Sequence, residues 1–300
     1  MTANATSTDT GALFDEAFLR QLDRLALIAR RPVAGENQGE RRSPRRGPSV
    51  EFADFKPYVS GDDFRQIDWN LYARAEKFFL KLFVAEEELT IHLLLDTSRS
   101  MDWGTPNKLR YAKRVAGAAG YIALTSLDRV TLSAFGQERE VRMPAQRSRR
   151  GALPLFRFLQ DLPPGSSADF AAVCRRYARS ARTPGPLLLC SDLMDARWQE
   201  GLQALLARRF QITVIHTLAP QEVNPELEGD LRLIDSEGGQ PVDLTADVDL
   251  LRRYEQSLRQ WREELLSYCS GHGIAYVPVE TNLPIEDLLL SLLRKRGVVR

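Results

Sequence analysis

The chain has 300 residues, of which 43% are hydrophobic, and its 41 Lys+Arg against 40 Asp+Glu leave a formal net charge of +1. That is enough apolar content for one large domain or a domain with an appendage, and the charge balance excludes a global field drawing the molecule to nucleic acid or an anionic membrane. Cys174, Cys190 and Cys269 are far apart and have no zinc-like spacing, which suits free thiols in a reducing compartment. No run of about 18 apolar residues marks a membrane span, and the N-terminus lacks the basic and apolar regions of a secretory signal. The expected location is therefore cytoplasmic.

Residues 1–11 are small and polar and read as a disordered N-terminus. From Leu13 to Ala29, apolar residues recur at helical spacing, predicting an amphipathic helix. Arg30 to Pro48 carries Pro, Gly and Asn with Arg41, Arg42, Arg45 and Arg46, a loop with a local positive patch. Strands are predicted at Phe78–Phe83 and Leu89–Leu95, the second running into Asp96. Lys108–Leu127 is helical, and Gly117 and Gly120 within it point to close packing against a neighbour. A strand at Arg129–Phe135 and another at Arg139–Met143 precede two helices, Ala152–Leu162 and Phe170–Ala181. The apolar run Pro186–Cys190 ends in Ser191-Asp192. After it come a helix at Trp198–Arg209, a strand at Gln211–Leu218, a long helix at Asp249–Cys269, a strand at Ile274–Val279 and a helix at Ile285–Leu293.

From residue 89 onward strands and helices alternate, which predicts an α/β fold with a doubly wound, mostly parallel sheet flanked by helices. Uninterrupted apolar strands agree, because a sheet covered on both sides buries both faces of every strand. Three parts are expected: residues 1–11, an N-terminal helical and strand extension over 12–88, and the α/β domain over 89–300. Ligands of such sheets bind at the carboxyl ends of the strands, where Asp96 and Asp192 stand.

Asp96-Thr97-Ser98-Arg99-Ser100 offers a carboxylate and hydroxyls on one short loop. These are hard oxygen donors of the kind magnesium and manganese prefer. One loop cannot complete an octahedron, so other loops must contribute. Gly165-Ser166-Ser167 and Asp192 are the candidates. Helix capping would use the same residue types, and it is the three loops in order that favour a cation site.

The pattern D-x-S-x-S, a later G-x-[ST] loop and a following strand-end aspartate resembles the metal-ion-dependent adhesion site of von Willebrand factor A domains. The resemblance implies that Asp96, Ser98 and Ser100 bind the cation and that Asp192 acts directly or through water. Ser167 stands where that family usually has threonine, and Ser166 could be the donor instead. It further implies an open coordination position that accepts a carboxylate from a protein partner.

Upstream, Arg46-Gly47, Glu51-Phe52, Tyr58, Gly61-Asp62-Asp63, Arg65, Ile67-Asp68-Trp69, Arg74, Lys81 and Glu86-Glu87 occur in order. This run resembles the signature of domain-of-unknown-function family 58. The resemblance covers about Arg30 to Leu218, and it implies a partner, since such proteins are typically found beside MoxR-type AAA+ ATPases.

Gly61 to Trp69 could be an ordinary turn, and the favoured reading is a buried polar network of Arg65, Asp68, Trp69 and Arg74 that braces the N-terminal segment against the α/β domain. His92, His216 and His272 share no ligand spacing and read as structural. No G-x-x-x-x-G-K-[ST] appears, so nucleotide hydrolysis by the chain itself is not expected. The expected function is a non-enzymatic, cation-dependent interaction module, an adaptor or co-chaperone with no nucleic-acid role and no catalytic residues. The rival is a metal-dependent, phosphatase-like hydrolase using the same ion, for which Asp102 and Asp195 are the nearby carboxylates.

Overall fold

The computed structural model describes residues 12–29, 52–59, 62–83, 89–136, 140–166, 169–233 and 241–295. The chain divides into two compact units, Met1–Arg31 with Leu89–Arg300, and Pro32–Glu88. Helix α1 (Glu16–Ala29) opens the first unit. The second unit holds strand β1 (Phe52–Pro57), helix α2 (Trp69–Ala75) and strand β2 (Phe79–Phe83).

In the second unit β1 and β2 pair antiparallel. Asp68 caps α2, its carboxylate accepting the amides of Asn70 and Leu71 at 2.9 and 3.1 Å, the ordinary role of aspartate before a helix. Tyr72 stacks on Phe78 with ring centroids 4.4 Å apart, and Trp69 meets both rings edge-on. Of the polar residues expected to form a bracing network, Asp68 thus serves a local cap, and Arg65 and Arg74 are exposed.

The first unit is built on six strands: β3 (Thr90–Asp96), β4 (Arg129–Phe135), β5 (Val141–Arg147), β6 (Pro186–Ser191), β7 (Gln211–Leu218) and, after the antiparallel hairpin β8 (Gly229–Leu233) and β9 (Val242–Ala246), β10 (Ala275–Glu280). Its helices are α3 (Lys108–Thr125), α4 (Ala152–Asp161), α5 (Phe170–Ser180), α6 (Trp198–Leu206), α7 (Pro220–Val223), α8 (Val248–Gly271) and α9 (Ile285–Lys295). The sheet order is β10-β7-β6-β3-β4-β5, parallel except for the edge strand β5, which pairs antiparallel with β4. This is the predicted doubly wound, mostly parallel sheet flanked by helices. Counted in chain order, the six strands run 3-2-1-4-5-6, so the winding reverses between β3 and β6, and in such sheets ligands bind at the carboxyl ends of the strands that flank the reversal.

Alternation along β3 feeds two cores. Leu93 and Leu95 pack with Phe18, Leu22, Val115, Leu155 and Leu288 from α1, α3, α4 and α9. Leu94 faces the opposite side, with Phe170, Cys174, Trp198, Leu202 and Leu265 from α5, α6 and α8. The close approach expected at α3 is present: a Cβ on Gly120 would lie 2.5 Å from Leu155 Cδ2 and 3.1 Å from Leu93 Cδ1.

Two features differ from the sequence reading. The helix assigned there to the 12–88 segment packs with α3 and α9 of the α/β unit, because Phe18, Leu22 and Leu25 find their apolar partners on those helices. Strand β1 and the hairpin β8–β9 lack long apolar runs; charged and polar residues such as Asp230, Arg232, Asp243 and Thr245 alternate through the hairpin. Asn and Gly-rich stretches and the arginines predicted as a loop over 30–48 lie outside the described residues, as does the N-terminal stretch 1–11.

Candidate metal centre

Asp96 ends β3 and Ser191-Asp192 ends β6, the two strands flanking the winding reversal. Register places Leu95 beside Cys190, so the next residues, Asp96 and Ser191, come level. Ser191 Oγ donates to Asp96 Oδ2 at 2.6 Å, and the Ser98 amide donates to Asp96 Oδ1 at 2.9 Å. Ser191 is itself oriented by the Leu193 amide, 2.9 Å from its Oγ. Asp96, Ser98, Ser191 and Asp192 are all buried.

The loop from Thr97 to Ser100 is welded to its neighbours through the backbone. Thr97 N donates to Phe135 O at 2.7 Å, Gly165 N to Thr97 O at 2.6 Å, Arg99 N to Ser166 O at 2.7 Å and Ser166 N to Gly136 O at 2.7 Å. Gly136 has φ +106°, and a Cβ there would stand 2.4 Å from Ser98 N, so only glycine lets the β4 end pass this loop. The structure therefore brings Asp96, Ser98, Ser100, Gly165-Ser166 and Asp192 to one edge. Ser167 lies outside the described residues, and the Ser166 side chain is exposed.

Burial and the neighbouring Asp192 charge push the Asp96 carboxyl from 3.8 up to about 7, against the hydrogen bonds from Ser191 and Ser98. Two carboxylates crowded in a dry site are what a cation would relieve. The serine hydroxyls suit one: Ser98 Oγ and Ser100 Oγ are 3.0 Å apart, and adjacent ligands of an octahedral magnesium with bonds of about 2.1 Å stand about 3.0 Å apart. Among the described residues no three His, Cys, Asp or Glu side chains group as a metal site, so an ion here would draw on hydroxyl oxygens as well as carboxylates.

One charged residue at this edge has no signal in the sequence motifs. Lys108, in the first turn of α3, is fully buried, and its ammonium donates to Asp192 Oδ2 at 2.9 Å and Glu222 Oε1 at 2.5 Å. Burial pulls the ammonium down, but the two carboxylates outweigh it and hold its pKa above the ordinary lysine value. Glu222 Oε2 accepts the Ala219 amide at 2.7 Å. A lysine at a helix start opposes the helix dipole, which is the faint sequence sign that a carboxylate must meet it.

The carboxylates available to a hydrolase are engaged in local structure. Asp195 accepts Phe170 N at 3.0 Å and Arg197 N at 2.7 Å, and Asp102 accepts from Asn107 Nδ2 at 3.0 Å. His216 lies behind the site on Tyr276 Oη at 2.6 Å, and burial pushes it down to about 4. His92 sits on Tyr177 Oη at 2.7 Å, likewise lowered by burial. No helix among the described residues is long and apolar enough to cross a membrane.

Fold and edge together define an α/β protein with a doubly wound sheet and a buried cluster of oxygen donors at its winding reversal. The chain belongs to the family described as protein of unknown function DUF58, whose model matches residues 54–264. It is 26% identical over 290 residues to the uncharacterized protein Rv1480 of Mycobacterium tuberculosis (strain ATCC 25618 / H37Rv), covering 95% of this chain and 90% of that one. The uncharacterized protein Mb1516 of Mycobacterium bovis matches to the same extent. Solved structures with similarity include the conserved hypothetical protein BatB from Bacteroides thetaiotaomicron, at 16% identity and a TM-score of 0.43 over 70% of this chain and 98% of that one. The SpRpn10 VWA domain matches at 11% identity and a TM-score of 0.39 over 68% and 94% of the two chains. Both structural scores are low, so family membership rests on the sequence match.

Proposed function

We propose that the chain is a divalent-cation-dependent protein-interaction module. Magnesium or manganese is held by Asp96, Ser98, Ser100 and the Gly165–Ser167 loop, with Asp192 bonded to it through water. A glutamate or aspartate from a partner protein completes the coordination, and the ion offsets the hydration that the carboxylate loses on docking. The observation that carries this reading is the pair of serine hydroxyls at 3.0 Å beside the buried Asp96. The same loops carry exposed apolar side chains, Trp103 and Met194, residue types enriched in the core of protein contacts.

The partner expected from the family resemblance is a MoxR-type AAA+ ATPase, with this chain acting as its adaptor or co-chaperone in the cytoplasm. The test is magnesium titration into EDTA-treated protein by calorimetry, paired with capture of a purified MoxR-type ATPase in magnesium or in chelator. Binding of one ion per chain and capture that depends on it are expected, both removed by Asp96→Ala. An absence of ion binding, or capture unchanged by Asp96→Ala, overturns the reading.

A further inference from the structure

Lys108 is enclosed completely, and its partners are fixed on every side. Asp192 Oδ2 takes its ammonium at 2.9 Å while Asp192 Oδ1 faces the Met194 amide at 3.3 Å, and Glu222 is pinned between Lys108 and Ala219 N. Tyr254 of α8 also donates to the Glu222 carbonyl at 2.6 Å. A buried ion network of this kind adds little net stability over an apolar replacement of similar volume. Its position matters more: it grips the aspartate at the carboxyl end of β6, beside Asp96.

Resting on the cation-site reading above, we propose that Lys108 is a positioning residue that holds Asp192 as a hydrogen-bonding group and keeps it out of direct contact with the ion. An ammonium and a divalent cation sharing one carboxylate repel each other, and Lys108 already claims the Oδ2 oxygen. The ion is thereby left one protein ligand short, which keeps a position for an incoming carboxylate. Glu222 balances the charge of Lys108, so the edge retains the two negative charges of Asp96 and Asp192, matched to one divalent ion. Without Lys108, Asp192 would close the coordination sphere from within and compete with the partner.

The experiment uses the full chain and Mn2+, followed by electron paramagnetic resonance and water-proton relaxation, which report affinity and the number of bound waters. The variant Lys108→Met/Glu222→Gln removes both members of that pair with no change in net charge and releases the Asp192 carboxylate, whose ammonium partner is gone, to turn to the ion. It is expected to bind Mn2+ about tenfold more tightly, as a direct carboxylate contact replaces a hydrogen-bonded water, and to lose one bound water. In the otherwise unaltered chain, Asp192→Asn is expected to leave the number of bound waters unchanged. This second variant decides the matter even where the first does not fold. A folded double variant with unaltered affinity and hydration overturns the proposal, as does an extra bound water in Asp192→Asn, while the cation site itself stands. If the unaltered chain shows no Mn2+ signal removed by Asp96→Ala, the cation site and the role of Lys108 fall together.

Discussion

Replacing Asp96 with asparagine exchanges a buried charge for an amide of the same shape. Burial and the adjacent Asp192 raise the Asp96 carboxyl from 3.8 to about 7 in the folded chain. A carboxyl with a higher pKa folded than unfolded favours the folded state at low pH. Its contribution is complete below about 3.8 and is lost as pH rises through about 7. The difference amounts to about 4 kcal/mol in the metal-free protein. Asparagine does not titrate, keeps an oxygen for the Ser98 amide, and presents its NH2 to Ser191 Oγ, which can accept instead of donate. In EDTA at pH 8, Asp96→Asn is therefore expected to be more stable than the unaltered chain by about 2–4 kcal/mol, and its stability should no longer fall between pH 4 and pH 8 through this group. Magnesium should close most of this gap, since an ion at 100 times its Kd adds about 2.7 kcal/mol to the chain that binds it and nothing to one that does not. Urea unfolding followed by circular dichroism at pH 5, 6.5 and 8, in EDTA and in magnesium, measures both effects. An Asp96→Asn chain less stable than the unaltered one at pH 8 in EDTA would show that the charge is already compensated, and the reasoning from burial would fail.

Two further outcomes follow from the same edge and core. Gly136→Ala places a Cβ against Ser98 N in a left-handed conformation, so it should cost about 1–3 kcal/mol and displace the Asp96 loop; urea unfolding together with magnesium titration should show both losses. Cys174, Cys190 and Cys269 are buried, and burial lifts their thiols, Cys190 to about 12 and Cys269 to about 11, with Cys174 also well above the ordinary value. Native protein at pH 8 should not react with a disulfide reagent in the time that urea-unfolded chain releases three equivalents, and a fast native equivalent would contradict this burial.

Much of the fold was legible because its central strands are apolar throughout. Leu93 to Leu95 and Leu187 to Leu189 read as strands covered on both faces, and their polar ends located the carboxyl edge before any contact was known. Asp96, Ser98 and Ser100 were legible as a group because they lie within five residues of one another. Asp192 was legible only as a strand end; its neighbour Ser191, which donates to Asp96, looked like an ordinary serine. The second unit was harder to read. Its strands are short and interrupted by charge, and the cap role of Asp68 depends on where α2 begins.

The sequence by itself determined the class of sheet and the residue types at its edge, since hydrophobic periodicity and hard oxygen donors are local properties of the chain. Tertiary structure decided which of those residues meet. Lys108 and Glu222 are 114 positions apart, and neither carries a motif. Only the winding of the sheet, which sets α3 beneath the β6 end and α7 just past β7, brings them onto Asp192. A charge pair across that distance is specified by packing, because no local pattern records which distant carboxylate will compensate a lysine buried at a helix start.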